Sequence, residues 1–239
     1  MNLLAQIWLR HGVRIIVIGV SLVFLLAIIS VFNWRFRPFM KEVLVQEVGE
    51  GEYRFNYQSR MCENSQGLAG KNTNTIGACS SLQGWKESGI KIVGKLIHIS
   101  DFTDVDLSSF LFDRVAANRS TWTNAVFARG EFVNVDLERV VFKNVVFENV
   151  DFTGVLFSQA EFINCEFRDS LLRMVNFHEA VFRGSRFVRT KCERCDFRAA
   201  KFVEGSSFDE TKLLKSFYNE RSILPFKLEE ARQRGLLFR

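Results

Sequence analysis

The residues of this chain able to do chemistry fall into three groups: cysteines, histidines and a crowd of cations. Cys62 and Cys79 lie in a Gly/Ser/Asn-rich stretch, where a disulfide between them would close the loop and imply an oxidising compartment. Two thiols with no histidine nearby make a poor metal site. Cys192-Glu193-Arg194-Cys195 has the spacing of a redox dithiol, and Cys165 stands alone. The histidines are His11, His98 and His178. Arg183, Arg186, Arg189, Lys191, Arg194, Arg198 and Lys201 crowd one stretch, a composition that attracts phosphate or carboxylate without reading it. What each group can do depends on the element that carries it.

Most of these residues sit in a five-residue period. Counting in fives from Phe102 lands on Leu107, Phe112, Ala117, Trp122, Phe127, Phe132, Leu137 and Phe142, then continues almost entirely in Phe and Leu to Phe202. A second series two residues earlier is small or branched and includes Val135, Val140, Val145, Val150 and Val155. A helix returns side chains to one face at 3.6 residues and a strand at two, so a period of five requires a backbone that turns every five residues. A coil with four five-residue sides meets that requirement, its turns stacking at about 4.8 Å. Positions i and i−2 then point inward and the other three outward. Residues twenty apart stack, giving a core ladder of Phe102, Trp122, Phe142, Phe162, Phe182 and Phe202. By the same phase Cys165, Cys192 and Cys195 are inward and packed, which removes the exposure a reactive thiol needs. Gly130 and Gly205 fall in inward i−2 slots, and Ala117 marks a thin point in the core. His98 and His178 point outward four turns apart, roughly 19 Å along the axis, too far to act together.

The runs Asp101-Phe102-Thr103-Asp104-Val105, Glu131-Phe132-Val133-Asn134-Val135, Asp151-Phe152-Thr153-Gly154-Val155 and Asp196-Phe197-Arg198-Ala199-Ala200 resemble the pentapeptide-repeat family. The resemblance implies an all-β solenoid, a right-handed quadrilateral β-helix. The family favours Ala or Ser at i−2, so the valine run is expected to strain or widen the corners. Some soluble members of the family are acidic mimics of duplex DNA that bind type II topoisomerases, a role that the basic C-terminal turns here argue against.

The flanks read differently. Residues 1–14 form an N-terminal tail. Ile15 to Phe32 carries no charge, and Asn33-Trp34 completes an expected transmembrane helix over 15–34, closed by Arg35, Arg37 and Lys41. No Ala-X-Ala site precedes the bulky residues that follow, so the segment is expected to stay as a signal anchor. Residues 35–90 read as a linker or small capping module, 91–210 as the β-helix, and 211–239 as a C-terminal helical cap. That cap is expected to hold two short helices, one carrying Leu213, Leu214 and Phe217, the other running from Phe226 to Arg234 and stopped by Gly235.

Charge is graded. Residues 97–166 hold 11 acids and 5 bases, residues 167–212 hold 7 acids and 10 bases, and residues 213–239 hold 3 acids and 6 bases. No catalytic constellation, metal site or cofactor site emerges, so the chain is expected to be a non-enzymatic, membrane-anchored scaffold or protein–protein interaction module. The expected partners are the lipid bilayer, a protein and a second copy bound through the C-terminal helices; nucleic acid is disfavoured. The expected location is a bacterial inner membrane with the repeats in the periplasm. The alternatives are a structural subunit of a larger membrane complex, or an electrostatic binder of nucleic acid or a topoisomerase.

Overall fold

Each pentapeptide folds as an extended triplet followed by a corner. In the first clean repeat Asp101–Thr103 is a strand, Phe102 points inward with no exposed surface, and Asp104 turns the backbone at φ +55°. That left-handed region disfavours most side chains and is least costly for Asn, Asp and Gly. The corners that follow the first sheet accordingly carry Asp104, Asn124, Asn144 and Asn164. Their side chains form a ladder of their own. The Asn124 amide donates to Asp104 at 3.0 Å, Asn144 to Asn124 at 3.1 Å and Asn164 to Asn144 at 3.5 Å.

The computed structural model describes residues 54–56, 61–63, 71–73 and 76–239, which belong to one compact unit, Gly49–Arg239. Twenty residues make one turn, and each strand pairs in parallel with its equivalents above and below. Trp122, for example, is in register with Phe102 on one side and Phe142 on the other. Among the described residues the turns build three long parallel sheets of eight, seven and seven strands. The first contains Phe102 and Phe142, the second Phe127 and Phe147, the third Phe132 and Phe152.

The expectation of four equivalent faces is corrected here. The fourth pentapeptide of each turn meets its neighbours only through single bridges, Ala116↔Asp136, Asp136↔Leu156 and Leu156↔Asn176 among them. It folds back on itself instead: the amides of Val140, Ala160 and Ala180 donate to the carbonyls of Leu137, Phe157 and Phe177 at 3.4, 3.1 and 3.0 Å. Positive φ at Arg139, Gln159 and Glu179 fits the third position of type II turns. A turn has taken the place of the fourth strand, so the fold is an all-parallel solenoid with three main sheets.

The interior is a column of aromatic rings. Along the first sheet Phe102 stacks on Trp122 at 3.9 Å, Phe142 on Phe162 at 5.3 Å, Phe162 on Phe182 at 4.7 Å and Phe182 on Phe202 at 4.4 Å. Along the second, Phe127, Phe147, Phe167, Phe187 and Phe208 follow at 5.3, 4.8, 4.5 and 4.7 Å. Burying each ring stabilises the fold by roughly 1.5–3 kcal/mol, with a further increment from stacking. The valines at i−2 do not disturb this. Val135 to Val155 are all buried, and the strands beside them keep their register. Where i−2 is serine, the hydroxyl ties two turns together: Ser185 Oγ accepts from the Cys165 amide at 3.0 Å and donates to the Phe162 carbonyl at 2.9 Å.

The phase slips by one residue after Phe202. Gly205 is the extra residue; it is exposed at φ +78°, and Ser206 takes the inward slot. The next pairings are therefore Phe187↔Phe208 and Cys192↔Leu213, twenty-one apart. The first of the two expected C-terminal helices is corrected as well. Leu213 lies in a strand, Lys212–Leu214, and Phe217 in another, Ser216–Tyr218, which pairs with Leu236–Phe238. Among the described residues one helix, Leu228–Gln233, remains. It covers the end of the coil, with Ala231 fully buried and Phe226 5.7 Å from Phe208.

At the other end the first sheet extends back through Ser80–Gln83 to Asn72–Thr73, inside the stretch read from sequence as linker or cap. A short antiparallel hairpin, Arg54–Asn56 with Met61–Glu63, precedes it. A disulfide between Cys62 and Cys79, with Cα atoms 5.8 Å apart, fastens this hairpin to the first turn.

The transmembrane helix expected over 15–34 lies outside the described residues. Among those described, no helix is long and apolar enough to cross a membrane: Leu228–Gln233 has 6 residues, about 9 Å at 1.5 Å per residue, against a hydrocarbon layer of about 30 Å. Among the described residues, then, the expected membrane-anchored architecture finds no support.

Candidate functional site

The thiols of the repeats are core atoms. Cys165 donates to the Ile163 and Phe142 carbonyls at 3.4 and 3.5 Å, as the serines in equivalent slots do, and burial pushes its pKa up to about 12. Burial, with Cys195 alongside, likewise drives the Cys192 thiol well above its ordinary value. A thiol held protonated and without exposed surface is neither a nucleophile nor a metal ligand.

The two histidines of the coil stand on its fourth side, four turns apart. The imidazole of His178 places Nε2 3.6 Å from Glu179, and its Nδ1 is buried without a partner. His98 is half-buried, and burial lowers its pKa below 6.5; Arg119 lowers it further, against an opposing pull from Asp136. The unfolded chain then takes up the proton first, so stability is level above about pH 6.5 and falls as pH drops below it. Melting midpoints recorded between pH 7.5 and 5 on the native chain and on His98→Asn are expected to converge at the high end, with the native chain showing the steeper fall.

The cations do not assemble into one surface. Arg183 and Lys201 lie on strands of the first sheet, Arg186 on the second and Lys191 on the third. Arg194 is at the corner that follows the third sheet, and Arg198 is on the fourth side. A five-residue step in sequence moves a residue to the next side of the coil. Most are also neutralised by carboxylates. Arg189 makes two bonds of 2.7 Å to Asp169, holding that carboxyl below its usual range; Arg183 meets Glu204 at 2.9 Å, Arg186 meets Asp209 at 3.2 Å and Arg198 meets Asp196 at 2.6 Å.

A different feature stands out, at the corner between the second and third sheets. A cleft of about 480 Å³ opens there, with Phe110 and Gly130 at its base and Lys91, Arg129, Glu131 and Asp151 around it. Beneath it two i−2 slots break the pattern together. Phe110 is the one phenylalanine in that series, and its ring fills the place where the next turn would put a Cβ: a methyl on Gly130 would come within 2.3 Å of the ring. Gly130 is thus buried against that ring, in a slot that elsewhere carries a side chain. Glu131 and Asp151 are register partners on neighbouring strands, with Leu111 and Lys91 next in the row. Arg129 and Asn149 sit at successive corners. None of these four charges forms an ion pair among the described residues, although arginines elsewhere on the coil find a carboxylate one turn away.

Residues 140–218 match the pentapeptide repeat region. The pentapeptide resemblance thus holds over that part of the coil, and nothing in the match supports a membrane-anchored form. No curated protein matches the sequence. Similar solved structures include HetL, a pentapeptide repeat protein involved in heterocyst differentiation regulation from the cyanobacterium Nostoc sp. strain PCC 7120, at 11% identity and a TM-score of 0.48, covering 57% of this chain and 63% of that one. A pentapeptide repeat protein from the Arabidopsis thaliana thylakoid lumen is 16% identical with a TM-score of 0.38, covering 43% of this chain and 69% of that one. QnrB1, a plasmid-mediated fluoroquinolone resistance protein, is 8% identical with a TM-score of 0.32, covering 64% and 93%. The chain thus spans under two thirds of HetL, and at these scores the pentapeptide structures carry no argument about what this coil binds.

The partner expectations change with the fold. Lipid bilayer, inner-membrane location and membership of a membrane complex rested on the anchor, and no described helix supplies one. The homodimer rested on two helices with free apolar faces. Leu213 is instead buried in the coil, the first of the two is strand, and the remaining helix uses Ala231 to close the end.

Proposed function

We propose that this protein is a non-enzymatic scaffold that docks a protein partner along the outward rows of its coil. The observation that supports it is the division between the two sets of positions. Inward residues form a dry column of rings, while outward residues are fixed in rows one strand spacing apart by the backbone ladders. A surface laid out this way binds without folding first, which keeps the ordering cost of association low. Catalysis would require oriented groups in an enclosed cleft, and the groups best suited to attack are the thiols locked in the core.

The test is photo-cross-linking from single outward positions in cells, with the photoreactive residue placed at Thr123 on the first sheet, Val146 on the second, Thr153 on the third and Ser158 on the fourth side. A discrete protein adduct from one side and none from the opposite side is the expected result. Equal adduct patterns from all four, or none from any, would contradict the docking role.

A further inference from the structure

We propose that the free edge of the last strand, Leu236–Phe238, takes an extended acidic segment of the partner protein as one more parallel strand, an inference that rests on the scaffold reading and adds a contact at the C-terminal end of the coil. Leu236–Phe238 pairs on one side with Ser216–Tyr218, and among the described residues no strand lies on its other side. In the turns below, the Phe217 amide donates to the Cys195 carbonyl and the Phe197 amide to the Phe217 carbonyl, each at 2.8 Å. Register carries Cys195 to Ser216 and Leu236, and Phe197 to Tyr218 and Phe238. The Leu236 carbonyl and the Phe238 amide therefore face the free side, toward a strand that would lie about 4.8 Å away. The residue placed over Leu237 would donate its amide to the first and accept from the second through its carbonyl. A polypeptide backbone supplies that pair of groups in one residue, which makes the occupant an extended peptide.

Side chains at the edge define what the segment carries. Phe238 continues the inward ring series Phe177, Phe197 and Tyr218, yet it is 62% exposed while Tyr218 beneath it is 3% exposed. The helix Leu228–Gln233 closes the coil with Ala231 and leaves this ring uncovered. An apolar residue in register with Phe238 would bury it as each turn buries the ring below. Charge sets the flanks. Lys215 is the corner residue leading into Ser216–Tyr218, one turn beneath the start of Leu236–Phe238; Arg194 is the corner one turn lower, and Lys212 lies on the adjoining strand. All three are exposed and without an ion-pair partner among the described residues, whereas Arg183, Arg186, Arg189 and Arg198 each hold a carboxylate. Residues 213–239 hold 3 acids against 6 bases. Acids on either side of the apolar residue complement this end of the coil and steer the segment to it.

The experiment uses the full chain and the capped peptide acetyl-Asp-Glu-Val-Thr-Phe-Glu-Asp-amide, followed by backbone amide NMR. Saturable shifts centred on Leu236, Leu237 and Phe238 are expected, with slowed hydrogen exchange at the Phe238 amide. N-methylation of the peptide at Thr, whose amide would face the edge, should weaken binding at least tenfold, and N-methylation at Phe, whose amide would face away, should not. Replacing the peptide acids by Asn and Gln should also weaken it at least tenfold. These comparisons leave the protein unchanged, so they hold whether or not a variant folds. Phe238→Asp should weaken binding at least tenfold, and Leu156→Asp, the same change on the fourth side away from the edge, should not. Equal binding of the two N-methylated peptides, equal weakening by both variants, shifts centred elsewhere or failure to saturate would each overturn the strand addition. A single-stranded oligothymidylate that reproduces the shifts at equal affinity would overturn it as well, making this end a surface for polyanions. So would self-association abolished by Phe238→Asp, which would give the edge to a second copy. The scaffold reading survives all of these results and is decided by the cross-linking.

Discussion

Replacing Phe162 with alanine lowers the free energy of unfolding by about 3–5 kcal/mol, the range for deleting a large aromatic ring from a packed core. The ring has no exposed surface and lies between Phe142 at 5.3 Å and Phe182 at 4.7 Å, with Phe157 and Phe167 edge-on or tilted against it at 5.2 and 5.5 Å. The upper half of the range is expected because the site cannot collapse. Each flanking strand is pinned to its neighbours by parallel register, Phe142↔Phe162 and Phe162↔Phe182, so the turns cannot close by the thickness of a ring. Guanidinium denaturation measures the loss. An outward residue on the same sheet, Thr123, should change stability by less than about 0.5 kcal/mol when replaced by alanine. A loss below about 1 kcal/mol for Phe162→Ala would mean the ladder is not packed as described.

Gly130→Ala is the smallest substitution with a large effect. It adds one methyl group, 2.3 Å from Phe110 Cδ1 and Cε1, far inside contact distance. The ring has nowhere to go: Phe112, Phe127 and Phe132 surround it at 5.5, 5.4 and 5.0 Å. Overpacking of this kind costs about 1–3 kcal/mol and at times more. The backbone offers no relief, because Glu131 is held on both sides, its amide donating to the Phe110 carbonyl at 2.9 Å and its strand paired with Asp151–Thr153.

How much of this was legible in the sequence differs from residue to residue. The five-residue period is a steric statement about which side chains point inward, and it located the ring ladder and the buried thiols correctly because inward phase and burial are the same property. It could not distinguish the fourth side from the other three. Phe157 and Phe177 obey the same i and i−2 pattern as Phe152 and Phe167, and the difference lies in backbone hydrogen bonds that carry no compositional mark. The cations misled for a geometric reason: Arg186 and Lys191 are neighbours in sequence but lie on different sheets. The reading of the first C-terminal helix failed because Leu213, Leu214 and Phe217 fit helical spacing as well as two short strands separated by a corner at Lys215. The contact between Phe110 and Gly130 was readable but needed two anomalies to be joined. Phe110 and Gly130 are each unusual for an i−2 slot, and they are twenty residues apart, so one turn of the coil places the large residue beneath the missing one.

That pair also provides the most direct test of the twenty-residue register on which the sheets, the outward rows and the cleft all depend. The measurement is a double-mutant cycle by denaturant unfolding on Gly130→Ala, Phe110→Val and the two together. Phe110→Val alone leaves a cavity and costs about 2–4 kcal/mol, and Gly130→Ala alone costs about 1–3 kcal/mol. Together they restore an ordinary branched residue beneath an ordinary small one, so the double variant should be more stable than the sum of the single losses by at least about 1 kcal/mol, the coupling expected of residues in contact. Losses that add to within about 0.3–0.5 kcal/mol, as they do for distant sites, would mean that Phe110 does not lie against Gly130 and that the turns are stacked in another register.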